Sequence, residues 1–315
     1  MIALVLRRVA QTVPVLLGVT LVVFLLTYRL PGDPVRALAG ERYREEDLAR
    51  IRTELGLDRP VAVQYLSYVG RLARGDLGRS FATGRPVAEE LLERFPRTLV
   101  LAVAALSLAI LLGLFAGVVA ARRPGGWVDR LSVLVALGGI SVPVFVSAIL
   151  FLWLFALTLR WLPPSGWIAD DPRALVLPAV TLGVRSAAMI ARMTRASLVE
   201  VLSADYVRTG RAKGCGEADV LLRHGLRNAL VPVVTMIGLD FGSYLSGSVL
   251  TESIFAWPGV GQYAMQAILR RDFPAIQGTV LFLSVMFVAV NLGVDLLYGA
   301  LDPRIRRSWL AKEAS

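Results

Sequence analysis

Six apolar blocks constrain this chain more than any other feature: residues 9–28, 98–121, 132–158, 174–191, 228–250 and 278–300. Each holds about 20 residues with few charges, the length an α-helix needs to cross a hydrocarbon layer of about 30 Å. Hydrocarbon offers no water to a peptide group, so such a block must pair its own amides, as a helix does. With 56% hydrophobic and 18% charged residues in a chain of 315, the composition excludes an ordinary soluble domain. The expected fold is an all-α membrane protein with six transmembrane helices.

Charge sets the expected orientation. A net charge of +10 suggests a nucleic-acid binder, but its distribution is that of a membrane topology. With both chain ends and the loops 122–131 and 192–227 in the cytoplasm, those segments hold sixteen Lys and Arg, against four in the short outer loops 159–173 and 251–277. This excess follows the positive-inside rule, so N- and C-termini are expected in the cytoplasm and nucleic acid is not an expected partner. The block 9–28, behind Arg7 and Arg8, competes as a secretory signal peptide. It is longer than a signal core and no small-x-small cleavage site follows it, so a retained anchor is expected.

Three parts follow in chain order: 1–28, the N-terminus and first span; 29–97, an extracytoplasmic helical loop; and 98–315, a five-helix core. The loop is nearly neutral, with thirteen Arg against eleven acidic residues, and its pattern predicts helices over 45–55 and 61–74 with Asp58-Arg59-Pro60 as the break. It is either a small folded cap or a docking surface for an external protein. Gly138, Gly139 and Pro143 in the third block favour close helix contact and a kink. In 251–277 a Trp257-Pro258-Gly259 turn separates two helical stretches, the pattern of an interfacial or re-entrant cap.

Between the fourth and fifth blocks stands one long, charged, helix-forming stretch, 204–232, reading ADYVRTGRAKGCGEADVLLRHGLRNALVP. Gly214 and Gly216 divide it into predicted helices over 197–213 and 217–223, the second with Val220, Leu221 and Leu222 as its apolar side. A short amphipathic helix held between two spans gains little from lipid, and is better suited to a soluble partner. Cys215 is the single cysteine, which excludes a disulfide framework, and no metal-ligand cluster surrounds it.

The stretch resembles the cytoplasmic coupling loop of permease subunits of ATP-binding-cassette importers. Gly210 stands at the last alanine of their glutamate-alanine-alanine motif and Gly214 at its glycine, while Arg208 and Thr209 replace the glutamate and first alanine. Residues 205–214 and 224–232 follow the dipeptide, oligopeptide and nickel branch, D-Y-V-R-T-x-R-A-K-G and H-x-L-R-N-x-x-x-P. Four more motifs of these permeases stand in place: L-P-G-D-P at 30–34, G-D-L-G-x-S at 75–80, E-x-x-F-x-W-P-G-x-G at 252–261 and D-P-R-x-R at 302–306.

The resemblance implies a type I importer permease-like bundle in the cytoplasmic membrane of a bacterium or archaeon. It implies a pore for di- or oligopeptides worked by alternating access, with nickel or glutathione as alternative cargo. It further implies a second homologous permease, two ATPase subunits that carry ATP and Mg, an extracytoplasmic substrate-binding protein, and surrounding membrane lipid. On its motifs Asp205, Gly210, Ala212, Lys213, Gly214, Glu217, Arg223 and Asn228 become the candidate coupling residues.

Charges inside the blocks are few, and each costs on the order of 2.5–3.5 kcal/mol near mid-membrane. Asp240 stands 13 residues after Arg227, about 20 Å deep on a continuous helix. It either lines the translocation path and meets a substrate amine, or is buried as a pair with Arg185 or as a neutral acid. Asn291 and Asp295, at i and i+4 on one face, either line the path or fix the packing of the last span. Glu252, at the outer end of the fifth block, is a further candidate for the translocation path, as an interface or gate residue more than a substrate ligand.

Motor and enzyme chemistry are absent from the sequence. No G-x-x-x-x-G-K-[ST] occurs, so no phosphate-cradling loop exists here and no cofactor is expected in this chain. One histidine, His224 in a loop, supports neither a Ser-His-Asp set nor a proton relay. A self-sufficient secondary transporter would show internal repeats and several intramembrane ion ligands; no convincing repeat is present.

Overall fold

Backbone amides inside hydrocarbon must be paired within their own segment, and the apolar blocks accordingly form helices. The computed structural model describes residues 2–29, 53, 58–164, 166–167 and 171–301. The expected helix over 45–55 (residue 53 apart) and the motifs at 30–34 and 302–306 lie outside the described residues.

The helices are α1 (Ile2–Arg29), α2 (Val61–Leu72), α3 (Val87–Ala121), α4 (Trp127–Ser141) and α5 (Val144–Phe151), the last running into a π-helical segment, Leu152–Thr158. A 3₁₀ turn, Pro172–Leu175, then leads into α6 (Val176–Ser203), followed by α7 (Asp205–Ala212). A single turn, Glu217–Asp219, and a second π-helical segment, Val220–Leu226, open α8 (Arg227–Gly247). The last described elements are α9 (Val249–Ile254), α10 (Val260–Arg270) and α11 (Phe273–Leu301). Among the described residues no β-strand forms; Arg79 and Pro86 make an isolated antiparallel bridge.

Among the described residues, five helical stretches are long and apolar enough to cross a membrane. A sixth crossing exists if the helices over Trp127–Gly139 and Val144–Thr158, bent by 98° where they meet, count as one broken span. The expected third span over 132–158 is thus two rods. Pro143 is the reason: it sits just before α5 with ψ 140 and supplies no amide hydrogen.

Helix ends overrun the apolar blocks. α3 has 35 residues, about 52 Å of rise, and starts at Val87, eleven residues before the apolar run at 98. Its first three turns carry Glu89, Glu90, Glu93 and Arg94, ahead of the apolar run. The loop expected over 29–97 therefore ends in helix.

The chain divides into two compact units. One comprises Met1–Thr98 with Pro258–Leu292. Its core is Val87, Leu91, Val260, Tyr263, Ala267 and Ala275. Several buried polar groups here pair with one another, although the buried Tyr68 hydroxyl finds no partner. The Tyr263 hydroxyl donates to buried Glu90 at 2.7 Å, Arg94 lies 4.6 Å over the Tyr263 ring, and the amide of Val260 donates to Thr98 Oγ1 at 2.9 Å. Burial, and then the bond to Glu90, push the Tyr263 hydroxyl above its ordinary range. Asp272, 2% exposed, accepts from Ser80 Oγ (2.5 Å) and from the amides of Phe81, Ala82 and Ala275 (3.0, 3.1 and 3.3 Å). It pins the turn 79–86 as a buried carboxylate must be pinned. Toward α1, Gln277 Nε2 donates to Thr27 Oγ1 at 2.7 Å.

The other unit comprises Leu99–Trp257 with Gly293–Ser315. α6 is its axis. Small residues let α3 and α6 touch through their backbones: a Cβ on Gly117 would stand 2.7 Å from the Ala191 carbonyl oxygen and 2.6 Å from Thr194 Cβ. Three buried clusters run along α6, around Leu177, Ile190 and Leu198. One ion pair fixes α4 to α6. Arg195 donates through Nε and Nη2 to Asp129, 3% exposed, which also takes the Gly125 amide at 2.8 Å.

Candidate coupling surface and translocation path

α6 stops at Ser203, where Ala204 turns extended (ψ 148) and α7 leaves in a new direction. One continuous helix over 197–213 was the expectation. The break lets Val207, fully buried, face inward while Asp205, Tyr206, Arg208 and Thr209 stay exposed. α7 closes on Lys213 and Gly214. Gly214 has φ +84, the left-handed region where a side chain is strained, and its amide returns to the Arg211 carbonyl at 2.9 Å. Gly216, by contrast, has an ordinary φ of −65.

Two side-chain links close the surface across this turn. Arg211 donates from Nε and Nη2 to the two Glu217 oxygens at 2.9 and 3.3 Å. Asn228 Nδ2 donates to the Tyr206 hydroxyl (2.9 Å) and to the His224 carbonyl (3.2 Å), tying α7 to the foot of α8. Val220 and Leu221 anchor the far side beneath, Leu221 packing with Leu198, Ala121 and Ala229. Residues 211–219 are all exposed, together with Leu222 and Arg223. The result is a braced, charged surface with an apolar spot at Leu222.

The eight expected coupling residues fall on this surface. Asp205 begins α7, Gly210 accepts the Cys215 amide, Ala212, Lys213 and Gly214 form its end, Glu217 is paired, Arg223 lies 3.5 Å from Asp219, and Asn228 bonds Tyr206. Sequence reasoning missed Tyr206 and Arg211, although both stand within the same motif. It also placed a helix end near 223. Instead the helix runs unbroken from Glu217 through the π-helical segment into the apolar part of α8.

Along α8, Asp240 is half-buried, and its Oδ2 has no hydrogen-bond partner. One turn on, the Tyr244 hydroxyl lies 2.5 Å from Ser186 Oγ and 3.0 Å from the Leu182 carbonyl, both on α6. Arg185, next to Ser186, is exposed and does not reach Oδ2. Glu252 is fully buried, with Ser248 Oγ donating to it at 2.7 Å. Asn291 donates to its own helix, at the Phe287 carbonyl, 3.0 Å away. The side chain of Asp295 lies outside the described residues. Among the described residues no cluster of three or more His, Cys, Asp or Glu is placed to hold a metal.

Two family models match. Residues 109–307 fit the binding-protein-dependent transport system inner membrane component, and residues 1–102 fit the N-terminal part of the same kind of membrane component. The chain belongs to this family. It is a permease subunit of an ATP-binding-cassette importer, a multi-pass protein of the inner membrane.

Relatives match the permease along its length. The glutathione transport system permease protein GsiC of Escherichia coli K12 is 44% identical over 306 residues, covering 97% of this chain and 99% of its own. Its counterpart in Salmonella paratyphi A is 45% identical over the same span. Solved structures share the fold. An inward-facing form of the MetNI methionine transporter aligns with a TM-score of 0.57 at 18% identity, covering 67% of this chain and 96% of that one. An amino acid transporter crystallised with histidines aligns at 0.52 and 17%, covering 68% and 94%.

Proposed function

We propose that this permease forms part of the pore of a binding-protein-dependent importer of small peptides, glutathione among them, that works by alternating access. The observation that carries this reading is the braced 205–228 surface joined without a break to α8, because such a surface can pass a push from a soluble motor into a pore-lining helix. The peptide class rests on the near full-length likeness to permeases named for glutathione transport.

In this reading two separate ATPase subunits bind ATP and Mg and close on one another. They carry Glu217–Arg223 with them, and the spans reopen toward an external binding protein loaded with substrate. A second, related permease completes the pore. Asp240 lies on the path and offers its unpaired oxygen to a passing amine once the spans part.

The test is purification of the chain from its native membrane in mild detergent, followed by reconstitution with what co-purifies. Recovery of a second permease and ATPases, with ATP-dependent uptake of labelled glutathione, supports the proposal. ATP-dependent uptake of another solute with glutathione excluded would overturn the substrate assignment, and a homo-oligomer without an ATPase would overturn the mechanism.

A further inference from the structure

Two apolar blocks that pack on each other carry one charge apiece, and the signs are opposite. Arg185 is the only charged residue of block 174–191, on α6, and Asp240 the only one of block 228–250, on α8. The helices meet in one cluster, Ala187 and Ile190 of α6 with Val233, Met236 and Ile237 of α8. The bonds of the Tyr244 hydroxyl to Ser186 and the Leu182 carbonyl set the level. They bring Asp240, one turn before Tyr244, beside Arg185 and Ser186. Arg185 acts electrostatically on both Asp240 and Tyr244.

Opposite charges within spans are most stable when joined, as Asp129 and Arg195 are. These two are not joined. Ser186 stands beside the Asp240 carboxylate, Oδ2 is enclosed without a donor, and Arg185 stays exposed, short of that oxygen. An enclosed acceptor left empty calls for an explanation, and charges within spans face the bundle interior or a water-filled path. A ligand bearing both signs answers both needs. Its ammonium reaches Oδ2 once the spans part, and its carboxylate lies on the planar fork of the Arg185 guanidinium.

We infer that Arg185 and Asp240 form a two-ended filter in the translocation path for zwitterions, solutes with a free amine and a free carboxylate. The filter presupposes the peptide importer described above; it adds Arg185 as a specificity residue and the demand for both charges. A solute that lacks either end leaves one charge of the site without its partner, which is how such a site discriminates.

The experiment measures labelled glutathione bound to the intact transporter in detergent, held with ATP and vanadate. Unlabelled glutathione, N-acetylglutathione and glutathione amidated at both carboxylates compete with it. Wild type should prefer glutathione about tenfold over each analogue. Arg185→Gln should lose the preference over the diamide and keep that over the acetyl form; Asp240→Asn should do the reverse. Where Arg185→Gln does not assemble or bind, Arg185→Lys keeps the charge without the fork and should show a smaller preference over the diamide alone. Equal affinity of wild type for all three compounds, loss of both preferences in each variant, or wild-type preferences in both variants overturns the filter. Wild-type uptake of glutathione in proteoliposomes without such binding also overturns it and leaves the importer reading standing. Absence of that uptake removes the peptide reading and the filter together.

Discussion

Arg195 of α6 grips Asp129 at the start of α4 with two of its nitrogens, while the same carboxylate takes the amide of Gly125. A buried carboxylate so held is safe as long as all its donors remain. Asp129→Ala leaves Arg195 unpaired, and Arg195→Ala strands a nearly buried charge. We expect Arg195→Ala to cost about 3 kcal/mol, read as earlier thermal unfolding in detergent. The double variant should fall well short of the summed losses; simple additivity would show that the pair is not coupled.

Gly117→Val tests the α3–α6 contact. A Cβ there meets the Ala191 carbonyl at 2.7 Å, and backbone cannot swing away as a side chain can. Overpacking of this kind costs about 1–3 kcal/mol or more. The monodisperse yield from membranes should fall severalfold, whereas Gly138→Val, with nothing within 4 Å, should be silent. Equal yields would mean that the two helices stand further apart than described.

At the hinge, Gly214→Val forces a β-branched side chain to φ +84 at a cost of roughly 1–2 kcal/mol. Glu217→Lys breaks an exposed pair with Arg211 worth about 0–1 kcal/mol. Neither change should prevent insertion or assembly. Both should raise the ATP hydrolysed per solute imported at least severalfold in proteoliposomes. An unchanged ratio in both variants would remove 205–228 as the coupling surface.

Outside the spans, Asp272→Ala withdraws four donors' common acceptor. Hydrogen bonds to a charged group contribute about 1.5–3 kcal/mol each, though they do not add fully. The turn 79–86 should loosen, and trypsin should cut at Arg79 or Arg85 at least tenfold faster than in wild type. Asp272→Asn, which keeps one acceptor oxygen, should lie between the two.

The apolar blocks were legible because bilayer thickness sets their length, and the 205–228 surface because its residues form a contiguous motif. What stayed hidden depends on partners distant in sequence. Nothing local marks Asp272 as the anchor of Ser80, 192 positions away, or Arg195 as the partner of Asp129, 66 away. Helix ends were misplaced for a related reason. Charged turns such as Glu89–Arg94 read as loop, yet they stay helical where Tyr263 and Arg85 supply partners. Burial separated the path candidates: Glu252 is enclosed, whereas Asp240 keeps an oxygen in want of a donor.

Val220–Leu226 winds more loosely than the helix it feeds, and no break separates the two. Arg223 and Asp240 are 17 residues apart, about 26 Å along one rod. Each residue of register absorbed by rewinding that segment to the ordinary helical period turns everything beyond it by about 100°. A push delivered at the foot of the rod would in that case reach its middle as a twist. Asp240 would be swung about the helix axis like a key in a lock, with no sliding of the helix through the bilayer.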